Sequence, residues 1–477
     1  VAKDANGVNS AVTSSTVVEP AILVVSGTIP NLIYNVAMAT ATFSKTGGTG
    51  SPATPWSATG LPAGVSINTA NGQVTGTPTV TGIFMAVITY TDANGCTDTQ
   101  NANFNVAPNL QNNAYTGVVG NTQLVSNGHS SPSTPFTSDA TNILANDSPA
   151  GITITAVTNA ATTGGGSITI GTDGKFTYSP PNGSTTADSY VYTGTSNGVS
   201  ATATINFTIA NMVWYVNNTY AGANGTANGN SHRPYTAVDA AATASAINQT
   251  IYVHTGSGNT NGNALLKSGQ TLRGAGNALT LGALSIVAGM KPTLAGMITL
   301  ANNVVVDGFG MNTGATAAIT STGATNVTVS ISSIITSGAA NAVNLNTTTG
   351  SITISGGTLS GGTGSVFNVS GGSANIMCSA SISQATASQR AINIASATGG
   401  TITFNGAITS SGTSTGINLA TNTGATINFT GLLTLSTSTN AAFTATGGAT
   451  ISPTSSGRTL TTTTAGAFNL THTKNGA

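Results

Sequence analysis

The chain has 477 residues, of which only 4% are charged, with ten Lys and Arg balancing ten Asp and Glu at a formal net charge of +0. With 39% hydrophobic residues this is not the composition of a disordered chain, and ten scattered cations cannot neutralise a run of phosphates, so nucleic acid and anionic membranes are not expected partners. No apolar run approaches the roughly 18 residues of a membrane-spanning helix, and polarity comes instead from Thr, Ser, Asn and 60 Gly.

At about 100 to 200 residues per domain, the length accommodates about three domains. Helix-forming residues are scarce while Thr, Val, Ile and Gly abound, so the expectation is all-β. The start, Val1-Ala2-Lys3-Asp4, lacks an initiator Met and an apolar signal region, which reads as a processed product or a piece of something longer, with export inferred. Residues 1–20 read as a loose lead-in. The two cysteines, Cys96 and Cys378, fall in different expected domains without metal-ligand spacing and read as isolated thiols.

From residue 21 short alternating segments appear between Gly, Pro and Asn turns. In the stretch from Trp56 to Pro78, Gly60-Leu61-Pro62-Ala63-Gly64 precedes Val65 and Ile67, Asn71-Gly72 marks a hairpin turn, and Thr77-Pro78 ends the return strand. Together with the alternating strand Ile83 to Tyr90, this resembles the immunoglobulin-like domain of bacterial surface proteins over 21–107. Over 108–210, Asn142-Ile-Leu-Ala-Asn146-Asp147-Ser148 comes first. A hairpin from Ser167 to Tyr178, turning at Thr172-Asp173-Gly174, and strands Asp188 to Tyr192 and Ala201 to Ile209 follow. This segment resembles the cadherin-like modules of large bacterial adhesins, which usually serve as spacers. Calcium is one reading of Asp147, Asp173 and Asp188, but such a site wants six to eight oxygens and these residues are far apart, so turn and cap roles are the preferred reading.

A third region, 211–477, opens with a capping region over 211–250, in which Val213-Trp-Tyr-Val216 and His232-Arg-Pro-Tyr-Thr236 lead into an Ala-rich helical stretch, Ala237 to Ala246. With Ile251-Tyr-Val253 and Leu272-Arg-Gly-Ala-Gly276, this order is similar to the entrance of pectin-lyase-like right-handed β-helices, where a helix plugs the open end. Coils follow over 251–477. Triplets centred on Asn344, Asn368, Asn393, Asn418, Thr444 and Asn469 recur every 24 to 26 residues. A second series begins at Val327, Ile352, Ile376, Ile402, Ile427 and Ile451, and a third runs Ile335, Leu359, Ile382, Ile408, Leu433, Leu460. Three short strands per 25-residue turn is the arithmetic of a three-faced parallel β-helix.

The resemblance to pectin-lyase-like enzymes raises catalysis, which there relies on paired or clustered carboxylates. Residues 251–477 contain a single acid, Asp307, read as a strand-end turn residue, and the histidines His129, His232, His254 and His472 lie far apart. No catalytic residue and no cofactor is assigned. The second-series outward positions, Thr328, Thr353, Met377, Thr403, Asn428 and Ser452, form a broken column, which argues against an ice-binding array, and the coil aromatics Phe367, Phe404, Phe429, Phe443 and Phe468 occupy inward positions, which argues against glycan stacking.

The whole therefore reads as two immunoglobulin-like β-sandwich modules followed by a right-handed three-faced parallel β-helix with a short N-terminal capping helix. It resembles the giant repetitive cell-surface adhesins of Bacteroidota-type bacteria. That resemblance implies a non-enzymatic extracellular rod or fibre subunit, self-associating through uncharged surfaces, with cell-surface glycans or another cell as targets. A carbohydrate-active or glycan-binding β-helix and an ice-binding solenoid are the alternatives. The C-terminal coil ends without a helix or charged cap, which is a further reason to expect a homo-oligomer or fibre.

Overall fold

The computed structural model describes residue 22 and residues 24–126, 137–454, 457–471 and 474–475; the expected lead-in over 1–20 lies outside them. The first module is a sandwich of two four-stranded sheets. Its hairpin pairs Val65–Ile67 with Gln73–Gly76 as the Asn71-Gly72 signal requires. Gly72 takes a φ of +71°, and a Cβ there would sit 2.7 Å from the Trp56 ring and 2.8 Å from the Phe43 carbonyl oxygen, so both the turn and the tight packing exclude a side chain. Trp56 meets Tyr90 edge-on at 4.9 Å over a core containing Phe43, Ile88 and Phe104.

The second module faces a five-stranded sheet against strands Asn113–Gly120, Thr153–Ile154, Asp188–Ser196 and Val199–Val216. Strands expected separately at Ala201 to Ile209 and Val213 to Val216 are one 18-residue element. Its first half pairs antiparallel with Asp188–Ser196, and its last four residues pair parallel with Thr250–Val253, the first coil of the solenoid. Asn211, with φ +65°, and two register shifts against Asn113–Gly120 mark the bend between the halves. Module and solenoid thus share a strand within a single 14-stranded sheet.

The third region is a β-solenoid of about nine turns. Its other two faces are nine-stranded sheets whose strands pair only in parallel. The helix Val238–Ala244 lies within the expected stretch and buries Val238, Ala241 and Ala242 against the solenoid core. Lys267 Nζ donates to the carbonyl oxygens of Thr243 (3.0 Å) and Ser245, a cation placed at the negative end of the helix.

Register bears out the first series: Asn344, Asn368, Asn393, Asn418, Thr444 and Asn469 lie in line. The other two series need correction at their ends. Val329, not Val327, faces Ile352, because the strand Val327–Ile331 carries three inward residues, Val327, Val329 and Ile331, that spacing alone cannot choose between. Ile335 points outward at 46% exposure while Ile334 and Thr336 are buried, and a register shift follows between Thr336 and Ala339. Leu460 stacks on Leu435 rather than Leu433. A one-residue slip in a strand exchanges its inward and outward sets.

One antiparallel element interrupts the coils and was not expected. Leu279–Leu281 pairs with Leu284–Ile286 across Gly282-Ala283. The hairpin closes over Val119, Tyr215, Tyr252 and Ala275, a small core between the second module and the outer surface of the first coils.

Candidate functional site

The three candidate calcium aspartates sit in three separate hydrogen-bonding settings. Asp147 Oδ1 accepts the Gln111 N–H at 2.7 Å and Oδ2 accepts the Tyr192 hydroxyl at 2.8 Å, and burial outweighs these bonds to raise its pKa. Asp173 closes its hairpin turn by accepting the Lys175 N–H at 3.1 Å and pairing with the Lys175 ammonium at 3.1 Å, which lowers its pKa. Asp188, only 3% exposed, accepts the Thr162 hydroxyl, the Tyr178 hydroxyl at 2.8 Å and the N–H groups of Gly164 (2.5 Å) and Ser189 (2.7 Å). Burial pushes its pKa up, but these donors hold it below the ordinary carboxylate value. Among the described residues no group of three or more His, Cys, Asp or Glu comes together as a metal-binding set.

Asp307 stands at the end of strand Val305–Asp307, opposite Arg273 on the neighbouring coil. The guanidinium grips it in a fork, Nε to Oδ1 at 2.9 Å and Nη2 to Oδ2 at 2.9 Å. Spacing alone had left this partner unidentified, because the hairpin Leu279–Ile286 lengthens the loop between the two strands. His232 and His254 are both held neutral by burial, which lowers each pKa to about 4; His129 and His472 lie outside the described residues. Cys378 is buried, its thiol pushed up to about 12, whereas Cys96 is exposed, and both are free.

The solenoid faces carry the most regular chemistry. On one, Asn368 donates to Asn344 at 2.8 Å, Asn393 to Asn368 at 2.7 Å and Asn418 to Asn393 at 2.8 Å, an amide ladder along the axis. On the face continuing the shared strand, the expected outward column passes through Ser330 rather than Thr328 and continues along Thr353, Met377, Thr403, Asn428 and Ser452. Thr328 instead follows Val305 in a second rank that continues through Ser351, Asn375, Thr401, Thr426 and Thr450, two residues away along each strand. The face is therefore a double rank. The coil aromatics Phe367, Phe404, Phe429 and Phe443 are buried, with successive ring centroids 5.2 to 5.7 Å apart. Phe468 pairs in register with Phe443 and continues the stack on the same inward side at 5.2 Å, 54% exposed in a strand whose four residues are all exposed.

Between the two sandwich modules, Thr81 Oγ1 and Ser196 Oγ share a buried hydrogen bond of 2.8 Å, and Asn197 Nδ2 donates to the Thr81 carbonyl oxygen at 3.2 Å. A cleft of about 690 Å³ opens beside this contact, lined by Tyr34, Val80, Pro149, Thr155 and Asn197 among others. No titratable side chain other than Tyr34 lines it.

Residues 15–107 match the family described as "Putative Ig domain", and residues 115–208 match the family described as "Bacterial Ig domain". No curated protein matches the chain. Among solved structures, Drosophila N-cadherin EC1-4 is similar at 10% identity, covering 39% of this chain and 49% of that one, with a TM-score of 0.15. Mouse cadherin-23 EC22-24 is similar at 13% identity, covering 40% and 64%, with a TM-score of 0.16. An endo-fucoidan hydrolase of glycoside hydrolase family 107 is similar at 13% identity, covering 40% and 32%, with a TM-score of 0.14. The chain spans less than two thirds of each of these neighbours, and scores so low carry no argument about activity. Immunoglobulin-like domains joined to a β-solenoid, with no helix among the described residues long and apolar enough to cross a membrane, fit an extracellular surface or adhesion-type protein.

Proposed function

We propose that the chain is a non-enzymatic, extracellular structural protein of the bacterial cell surface, a rod or fibre subunit that self-associates and serves attachment to glycans or to another cell. The observation that carries this reading is the shared strand Val199–Val216, which makes the second module and the solenoid one hydrogen-bonded sheet. Force along the axis then passes through backbone hydrogen bonds instead of a flexible linker, which suits a spacer under load and has no obvious use in a soluble enzyme. The buried contact between Thr81 and Ser196 extends the same stiffening to the first module.

Assembly would run through packing and amide or hydroxyl hydrogen bonds, since charged groups are few and two ion pairs, Lys175 with Asp173 and Arg273 with Asp307, form among the described residues. Exposed apolar side chains on the first module, Ile83 and Met85, add contact area. The aspartates serve as hydrogen-bond acceptors and the reading needs no cofactor; calcium at Asp147, Asp173 or Asp188 would require a rearrangement of bonds already made.

The deciding experiment compares producing cells with and without the intact gene in an attachment assay, alongside a panel of surface polysaccharides incubated with the purified chain. Loss of attachment with no polysaccharide turnover supports the reading. Depolymerisation of any polysaccharide would restore the carbohydrate-active alternative.

A further inference from the structure

The cleft between the two sandwich modules is held at a fixed width by bonds of its own. Thr81 and Ser196 share their buried hydrogen bond of 2.8 Å at its floor. Asn197, at the tip of the hairpin between Asp188–Ser196 and Val199–Val216, donates from Nδ2 to both the carbonyl (3.2 Å) and the hydroxyl (3.1 Å) of Thr81. These bonds run from one module to the other, so they set the spacing of the walls, and a ligand meets a site already formed. At about 690 Å³ the opening falls within the roughly 300 to 1,000 Å³ of small-molecule sites, which favour domain boundaries.

We infer that this cleft binds an uncharged sugar unit of a glycan, with Tyr34 as the surface on which the ring packs. The lining mixes two kinds of surface: Tyr34, Val80 and Pro149 are aromatic or aliphatic, while Thr153, Thr155 and Asn197 carry hydroxyl and amide groups and are exposed. No Asp, Glu, His, Lys or Arg is among the lining residues. That mixture selects the occupant. A neutral sugar ring has a face of C–H groups and an edge of hydroxyls, and it uses an aromatic body and polar partners together. A uronic acid or sulfate ester would bring a charge that nothing in the lining pairs, and a lipid would strand the hydroxyl and amide groups. A peptide added as a further strand is disfavoured by the backbone. The edge strand Thr153–Ile154 pairs with Asp188–Ser196, and the Ile154 N–H is already given to the Thr172 carbonyl oxygen at 3.0 Å. The inference rests on the attachment role proposed above and names its site and ligand class.

The test is saturation-transfer NMR and calorimetry of the full chain with cellobiose, lactose, mannobiose and chitobiose, and with a uronic-acid disaccharide from alginate as the charged arm. Thr155→Trp fills the cleft from an exposed lining position, and Tyr34→Ala removes the packing surface; Thr158→Trp puts the same bulk on the second module at an exposed position outside the lining. Melting curves matching the wild type identify the variants that remain folded. The expected result is saturable binding of at least one neutral disaccharide, weakened tenfold or more by Thr155→Trp and by Tyr34→Ala and unchanged by Thr158→Trp, with no binding of the charged one. No binding of any neutral disaccharide, equal binding of the charged one, or equal affinity in the Thr155 and Thr158 variants overturns the proposal. Cells carrying Thr155→Trp that attach as well as the wild type would retire the cleft and leave the attachment role standing, whereas wild-type cells that attach no better than cells without the gene would retire the role itself.

Discussion

Asp188 shows how a lone acid in a nearly uncharged chain is used. Five donors converge on its carboxylate from Thr162, Thr163, Gly164, Tyr178 and Ser189, so Asp188→Asn would replace a charge-assisted acceptor by an amide with two donors facing donors. Chemical denaturation should report a loss of about 2 kcal/mol or more for the second module, while the first module is unaffected. This site was legible only in part: Asp188 read as a cap or turn residue, but donors 24 and 26 residues upstream are brought to it by tertiary pairing. His254, 8% exposed beside Tyr215 and Tyr252, makes a pH prediction. Its folded pKa of about 4 lies below the ordinary 6.5, so the neutral ring's contribution is complete above the unfolded value and is lost as pH falls from about 6.5 towards 4. The full shift corresponds to about 3 kcal/mol. Melting temperature measured between pH 6.5 and 4.5 should fall more steeply for the wild-type chain than for His254→Gln, and parallel profiles would remove His254 as the cause.

Among elements, the amide ladder was readable because its period of 24 to 26 residues holds from Asn344 to Asn469. Asn393 both donates to Asn368 and accepts from Asn418, so Asn393→Ala breaks two bonds and should cost about 1 to 3 kcal/mol in denaturant titration; a change below 0.5 kcal/mol would mean that the ladder is incidental to stacking. The third series was less legible, because Ile334 and Ile335 are equally apolar and only the pleat decides which faces the bore. The hairpin Leu279–Ile286 escaped detection because it is an insertion between Arg273 and Asp307, where the repeat has no copy to compare. Its sequence did carry a cue: Leu279-Thr-Leu281 and Leu284-Ser-Ile286 alternate around Gly282, whose φ is +57°. Leu284 is buried in the small core this hairpin shares with Val119 and Tyr215, so Leu284→Ala should lower stability by about 2 to 4 kcal/mol. Proteolysis should then open the joint between module and solenoid before it cuts the distal coils.

For the molecule as a whole, composition and period sufficed for an all-β chain of sandwich modules and a solenoid, but not for how the parts join. The segments around Asn211 read as two strands because a polar residue with a positive φ interrupts the alternation, yet hydrogen bonding carries through. That continuity, with the scarcity of charge, frames the account of a stiff rod with neutral flanks. Contacts between such flanks should be barely loosened by salt, so sedimentation of the full chain at micromolar concentration should show assemblies of the same size from low to high salt; dissociation at moderate salt would refute an uncharged interface. The measurement that reaches the central claim most directly is electron cryotomography of the producing cells with a gold-labelled antibody to the solenoid. The account predicts label along extended structures outside the cell envelope. Label confined to the cell interior, or only dispersed single molecules in the medium, would contradict it.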